Sequence, residues 1–563
     1  MKENQMKQTV QKAFIFAVLG LLILVGVPKL AFGQEKGEVK DQEFIIRKDR
    51  VLTLPVQPRR FERVPALPSS KGNSSFEYDV KQYFLTLPPV GIKAEASQKN
   101  FPKVTEEKYP GFARIGYGNY GSPLLEGRYN IWEDENYNIG AKLKHQSFAK
   151  GPVDGRNSGE SFTNFGLDGT YFMDVFQFYG GIKYDRHKFN FYGYDPENLN
   201  LVDFVPSQNI LNTFRIFGGI QDIDKMEGVN YNARLGIRAF NDNFLASENE
   251  VSIIANSSYW YNDNLNGAID FNWSHTTPKD EFYGDINRNY FKTKPYLGYQ
   301  DEALNISVGV NIVFENDVTL NKKSDFHVFP ALKGEYMLSK EIGIYGAFEG
   351  DVLRKTYYDF VMENQFLGPS AQLLNTIQNY KTGAGIKGTL LQGLTYEAGF
   401  NVGKYRNMHF FANSQSDSLR FNLLFDENTR VLNYTAKIGW EYEGWYKMTA
   451  TADYFNYSLS NLGAAYQRPE WEFALNNQFN PAEKWLIYFN AHLMGGIVGF
   501  NQQSDLTVVL PAILDLQLKA DYQITEKISA FVIGKNLLNR NNQRFLNYPV
   551  RGIQGIVGAT IKF

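Results

Sequence analysis

Along residues 111–563, short links and long links take turns, and this alternation restricts the fold more than any other feature of the chain. Roughly 22 strand-like segments are legible there. The links after every second segment are tight: Glu133-Asp134-Glu135-Asn136, Asn262-Asp263-Asn264-Leu265, Gln300-Asp301-Glu302 and Glu443-Gly444. The links between them are long: Tyr192 to Ile210, Thr276 to Asn289, Lys355 to Gln378, Arg406 to Arg430 and Asn539 to Arg551. The first hairpin, at Tyr120-Gly121-Ser122, is the one expected exception. Strands joined in succession reverse at opposite ends of a sheet. One end of this sheet therefore carries tight turns, and the other carries long loops. An even strand number brings both termini of the sheet to the turn end.

The segments alternate with period two, which puts successive side chains on opposite faces. Ile306, Val308, Val310, Ile312 and Phe314 alternate with Ser307, Gly309, Asn311 and Val313. Leu514, Leu516, Leu518, Ala520 and Tyr522 alternate with Asp515, Gln517, Lys519 and Asp521, and Met448, Ala450, Ala452 and Tyr454 with Lys447, Thr449, Thr451 and Asp453. In the last stretch Ile553, Gly555, Val557, Ala559, Ile561 and Phe563 are all apolar or small. A sandwich would alternate too; the two kinds of link favour a barrel, with short turns on the periplasmic side. Aromatics at 15%, with 35 Tyr, 44 Phe and 49 Gly, fit strands with one face to lipid and one to water. Lipid offers no hydrogen-bond partner, so an open sheet edge costs several kcal/mol per orphan group, and closure removes the edge. The expected fold is all-β: a transmembrane antiparallel β-barrel of about 22 strands behind a proline-rich N-terminal extension.

The barrel reading fixes further expectations. Charged strand residues Lys144, Lys183, Asp185, Lys387, Asp515 and Lys519 should face the lumen, because a basic side chain facing lipid at mid-depth costs about 2–4 kcal/mol. Aromatics at Phe176-Gln177-Phe178-Tyr179, Phe189-Asn190-Phe191-Tyr192 and Tyr259-Trp260-Tyr261 should form interfacial belts. The surrounding outer-membrane lipids are thus an expected partner.

The amino-terminal part differs. Lys2, Lys7 and Lys12 precede an uncharged run from Ala13 to Val27, which is short for a spanning helix. Ala31-Phe32-Gly33 then offers small residues to a signal peptidase, so residues 1–33 read as a signal peptide cut between Gly33 and Gln34. Residues 34–110 hold eight prolines, from Pro55 to Pro110, and dense charge. They read as a periplasmic or lumenal leader, either a tether or a docking arm for an envelope partner.

Little in the chain suggests chemistry. There is no cysteine, hence no disulfide or thiolate site. The net charge of -2 gives no case for nucleic acid. His145, His187, His275, His327, His409 and His492 are scattered and read as isolated loop or wall residues, with no His-Glu-x-x-His motif. No Gly-x-Ser-x-Gly elbow is present. Gly383-Ala384-Gly385-Ile386-Lys387-Gly388 matches a dinucleotide pattern but sits within an alternating strand, so it reads as small residues on a crowded wall. No catalytic residue, metal site or cofactor is expected.

The ending carries a family resemblance. Ser529 to Arg540, with its Asn536-Leu537-Leu538-Asn539 block, then Asn547-Tyr548-Pro549-Val550-Arg551-Gly552 and Gly558 to Phe563, resembles the last two strands of TonB-dependent receptors. Gly116 to Asn130, followed by His145-Gln146-Ser147, looks like the first hairpins of such barrels from Bacteroidota. The resemblance covers 111–563 and implies a barrel of about 22 strands. It also implies that Val557, Ala559, Ile561 and Phe563 form the sorting signal recognised by the barrel-assembly machinery. Receptors of the family carry a folded plug before the barrel; residues 34–110 look unlike one, so a plugless barrel is expected. The implied function is solute transport or a channel across the outer membrane. The alternative is a non-transporting accessory subunit of an envelope assembly, docking through its N-terminal segment.

Overall fold

The computed structural model describes residues 109–563 except 134–135, 196–205, 224–227, 282–283, 317–324, 340, 369–371 and 392. The expected signal peptide, its Gly33–Gln34 junction and all of the leader before Tyr109 lie outside the described residues.

Twenty-two strands form one antiparallel sheet. The first strand, Gly111–Gly118, pairs on one edge with Ser122–Glu133 and on the other with the last strand, Gln554–Lys562, so the sheet is closed. Every other wall strand pairs with its neighbours in the wall sequence. The two-sided pattern of links holds. The longest connection at the turn end is 223–228, while the loop end carries 191–207, 354–375, 407–428, 496–512 and 536–553. Two loop-end links are short rather than one. Besides the first hairpin, Asp242 to Ala246 is tight, because the Asp242 carboxylate accepts the amides of Phe244 and Ala246 and closes the turn locally. The long links also contain strands of their own. Met408–Asn413, Phe421–Asp426, Val498–Asn501 and Leu506–Val509 make a separate four-stranded sheet.

The side-chain alternation sorts as the pleat requires. Val308, Phe314, Leu518 and Tyr522 are exposed on the outside, whereas Asn311, Val313 and Asp521 are buried within. In the final stretch Val557, Ala559, Ile561 and Phe563 all point outward, and Gln554, Ile556 and Thr560 are buried. Each expected lumenal charge shares the inward face of its strand. Lys387 meets Glu335 at 2.8 Å, Asp185 meets Arg215 at 2.6 Å, and Lys183 lies 5.3 Å from the Phe217 ring centroid. Lys519 approaches Asp521, Asp515 accepts from Gln517, and Lys144 shares the face of buried Gln146.

Gly385 shows what the glycine run does. A Cβ there would lie 2.4 Å from the Tyr345 hydroxyl and 2.5 Å from the Ala398 carbonyl. The bare backbone lets Tyr345 lie flat against the wall, over Gly385 and Gly399. The run is a packing device within the strand Thr376–Leu391.

Candidate functional site at the mouth of the barrel

At the loop end the chain builds a second hydrophobic core. Phe189, Phe191 and Tyr192 enter it from one side, Tyr357, Phe360 and Phe366 from the 354–375 link, Phe411 and Phe421 from the 407–428 link, and Phe545 and Tyr548 from the 536–553 link. These links leave the wall at positions far apart around the ring, so the core ties distant sectors together across the mouth. At its centre the Phe366 and Tyr548 rings stack at 3.5 Å, with Tyr192 edge-on to both. Tyr192 donates to the Pro549 carbonyl at 3.0 Å and Tyr548 to the Leu419 carbonyl, which satisfies both buried hydroxyls. The expectation of an interfacial belt is corrected for Phe189, Phe191 and Tyr192. They are 1%, 2% and 6% exposed and belong to this cap, whereas Phe178, Tyr259 and Tyr261 are exposed on the outside.

A short helix, Tyr357–Glu363, anchors the cap to the wall. Thr356 and Asp359 close a reciprocal capping box at its start. The Glu248 carboxylate, from the wall strand Ser247–Trp260, accepts the Tyr357 amide at 2.9 Å, where negative charge is favoured. Arg238 pairs with both Glu248 and Glu250, and its guanidinium lies 4.1 Å from the Tyr358 ring centroid.

The other end of the helix meets a buried polar trio. Glu363 contacts His409 Nε2 at 2.8 Å and Arg468 Nη1 at 2.9 Å, with the Lys355 ammonium 3.8 Å away. Burial opposes the Glu363 charge, but Arg468 and His409 outweigh it and hold this carboxyl well below the usual range. Burial pushes His409 down to about 4, with Arg468 adding to the effect, so near neutral pH the ring is uncharged. His409 Nε2 lies 2.8 Å from both Glu363 Oε2 and Arg468 Nη2, so it donates to the carboxylate in one tautomer and accepts from the guanidinium in the other, and Arg468 Nη2 also donates to the His409 carbonyl at 3.1 Å.

Below the cap, toward the turn end, the inner wall opens a polar recess lined by Asn230, Asn232, Asn256, Asp270, Trp260 and Tyr296. Amides, a carboxylate and two aromatic faces can hydrogen-bond and stack on a hydroxyl-bearing solute.

No family model matches the chain, and no curated protein matches it. Solved structures do. The pyoverdine outer membrane receptor FpvA from Pseudomonas aeruginosa PAO1 superposes with a TM-score of 0.62 at 13% identity, over 81% of this chain and 78% of that one. The FrpB iron transporter from Neisseria meningitidis, F3-3 variant, gives 0.64 at 10% identity, with 82% of each chain covered. The ferric-catecholate import receptor Fiu from E. coli K12 gives 0.59 at 10% identity, over 81% of this chain and 82% of that one. These neighbours are TonB-dependent receptors with a 22-strand barrel, and at such identity the likeness is one of fold.

The trio at Glu363 was invisible to sequence spacing, since its members come from three separate links. His409 is thus not an isolated loop residue, and neither is His187, which meets Glu160 at 2.9 Å. The trio makes the cap acid-sensitive. His409 has a folded value below its ordinary 6.5, so the opened cap binds a proton that the closed cap does not. Stability falls as pH drops from about 6.5 toward about 4, by about 3 kcal/mol in total. The Glu363 contribution is present above its ordinary 4.5 and is lost as pH falls through its lower folded value. Protection factors of amides in 357–363 and 408–413, corrected for the intrinsic pH dependence of exchange, should therefore fall between pH 7 and pH 4. His409→Gln should flatten the upper part of that profile.

Proposed function

We propose that the chain is an outer-membrane barrel for solute passage, closed at its outer mouth by its own loops. The observation that carries this reading is a closed 22-strand wall with an ion-paired polar interior and a recess below the cap, in a fold shared with solved outer-membrane receptors. In this orientation the turn end and both ends of the barrel face the periplasm. The leader, residues 34–110, then joins the first strand at the turn end, and Val557, Ala559, Ile561 and Phe563 serve as the sorting signal. The reading includes no enzymatic step and no folded plug.

A second reading has its own support. The cap is packed like the interior of a soluble domain, which suits a barrel that conducts nothing and serves as a scaffold for an envelope partner held through the leader. Planar-bilayer recordings separate the two. Protein lacking residues 34–105 and carrying Phe366→Ala to loosen the cap should show larger and more frequent conductance steps than the full chain. If that deletion and an opened cap together still give a silent barrel, and partners are lost with the leader, the transport reading fails and the scaffold reading stands.

A further inference from the structure

The inner wall holds a side-chain cluster that neither the cap nor the recess uses. Strands Leu304–Glu315 and Asp325–Met337 are antiparallel, with Glu315 opposite Asp325 and Val313 opposite His327. Directly opposed residues share a face, and so do residues two apart. Val313 is fully buried inside, while Phe314 and Phe326 are exposed outside. Glu315, Asp325 and His327 therefore all point inward at the loop end, and one donor atom from each lies within 4.8 Å of the others.

Two details distinguish this cluster from an ordinary group of charges. His327 Nε2 is buried and has no hydrogen-bond partner among the described residues; it lies 3.6 Å from Glu315 Oε1, beyond hydrogen-bond length. The ring is held parallel to Phe329, at 5.7 Å between centroids. The second detail is a supporting amide. Asn375 Oδ1 accepts from Arg288 Nη2 at 3.2 Å and from the Lys355 amide at 2.9 Å, so its Nδ2 is left to donate to Glu315 Oε2 at 3.0 Å. That bond holds Oε2 of the carboxylate, whose Oε1 lies 3.6 Å from the imidazole. Outer partners of this kind orient metal ligands and tune their strength.

We propose that Glu315, Asp325 and His327 bind a divalent transition-metal ion of the zinc class on the inner wall beneath the cap. Two carboxylates balance the charge of a dication. One imidazole nitrogen beside two oxygens suits zinc better than calcium or magnesium, which prefer oxygen alone. Three protein ligands leave a further position for water or for a donor on a passing solute. Because Asn375 lies in the 354–375 link, the ion would also couple the wall to the cap.

The test uses purified, chelator-stripped, untagged full chain in detergent, with folding of every variant checked by circular dichroism. Zinc is titrated against a competing indicator dye, and cobalt is titrated in parallel for its visible absorption. One equivalent of zinc should bind, with a cobalt spectrum of a four- or five-coordinate site. His327→Gln and Glu315→Gln should abolish both signals, and Asn375→Ala should weaken zinc by roughly 10-fold or more. His275→Gln, elsewhere on the wall, should leave them unchanged. Absence of zinc binding at millimolar concentration, binding that survives His327→Gln, or preference for calcium over zinc would each overturn the proposal.

Discussion

Arg114→Ala should destabilise the closed barrel by about 3–5 kcal/mol, as expected when one partner of a buried charge pair is removed. Arg114 projects inward from the first strand at the seam where the cylinder closes. Its Nε donates to Thr560 Oγ1 at 2.9 Å on the last strand, and its Nη2 to Asp521 Oδ1 at 2.8 Å on the strand Ile513–Gln523. The guanidinium also covers the Phe531 ring at 4.8 Å. One side chain thus ties the first strand to the last and to the two strands before it. Arg114 and Asp521 are each 2% exposed, so the loss leaves Asp521 with little besides the Lys519 ammonium, 3.7 Å away. Arg114→Lys should fall between, since an ammonium carries the charge without the fork that reaches both partners. Adding Asp521→Ala to Arg114→Ala should recover part of the loss by removing the orphaned carboxylate. The measurement is the urea midpoint in detergent, followed by the shift from compact to unfolded band on a semi-native gel. An unchanged midpoint for Arg114→Ala would show that the backbone ladder alone holds the seam.

The second large effect is expected from the cap. Phe366→Ala or Tyr548→Ala removes one ring of the central stack, a change that typically costs about 3–5 kcal/mol in a packed core. Neither residue belongs to a wall strand, so the cylinder should keep its urea midpoint while the cap loosens. Conductance in planar bilayers should rise, and protease should gain access to the 354–375 link. Tyr548→Phe keeps the ring and loses only the bond to the Leu419 carbonyl, so it should stay close to the parent in both assays. If Phe366→Ala loosens the link to protease but leaves conductance untouched, something other than the loops closes the lumen.

The wall was legible in the sequence because its information is local and periodic. Val557, Ile561 and Phe563 could be placed outward, and Asp515 and Lys519 inward, by counting in twos, since the pleat allows no other arrangement. The alternation of tight and long links gave the order of strands and the shared end of both termini, because sequential antiparallel pairing leaves no other topology. The cap was not legible. Phe189 and Phe191 have the same composition and position near a strand end as a membrane belt, and only the arrival of Phe366 and Tyr548 from distant links buries them. His327 and Glu315 are separated by a loop, and their approach depends on the register of two strands. Glu363, His409 and Arg468 meet only because three links fold over one mouth. Residue order therefore determined the cylinder, its two faces and its two ends, through period-two alternation and closure of the hydrogen-bond ladder. Which loop side chains meet was decided by the tertiary structure, since closing the ring brings together links that no local rule relates.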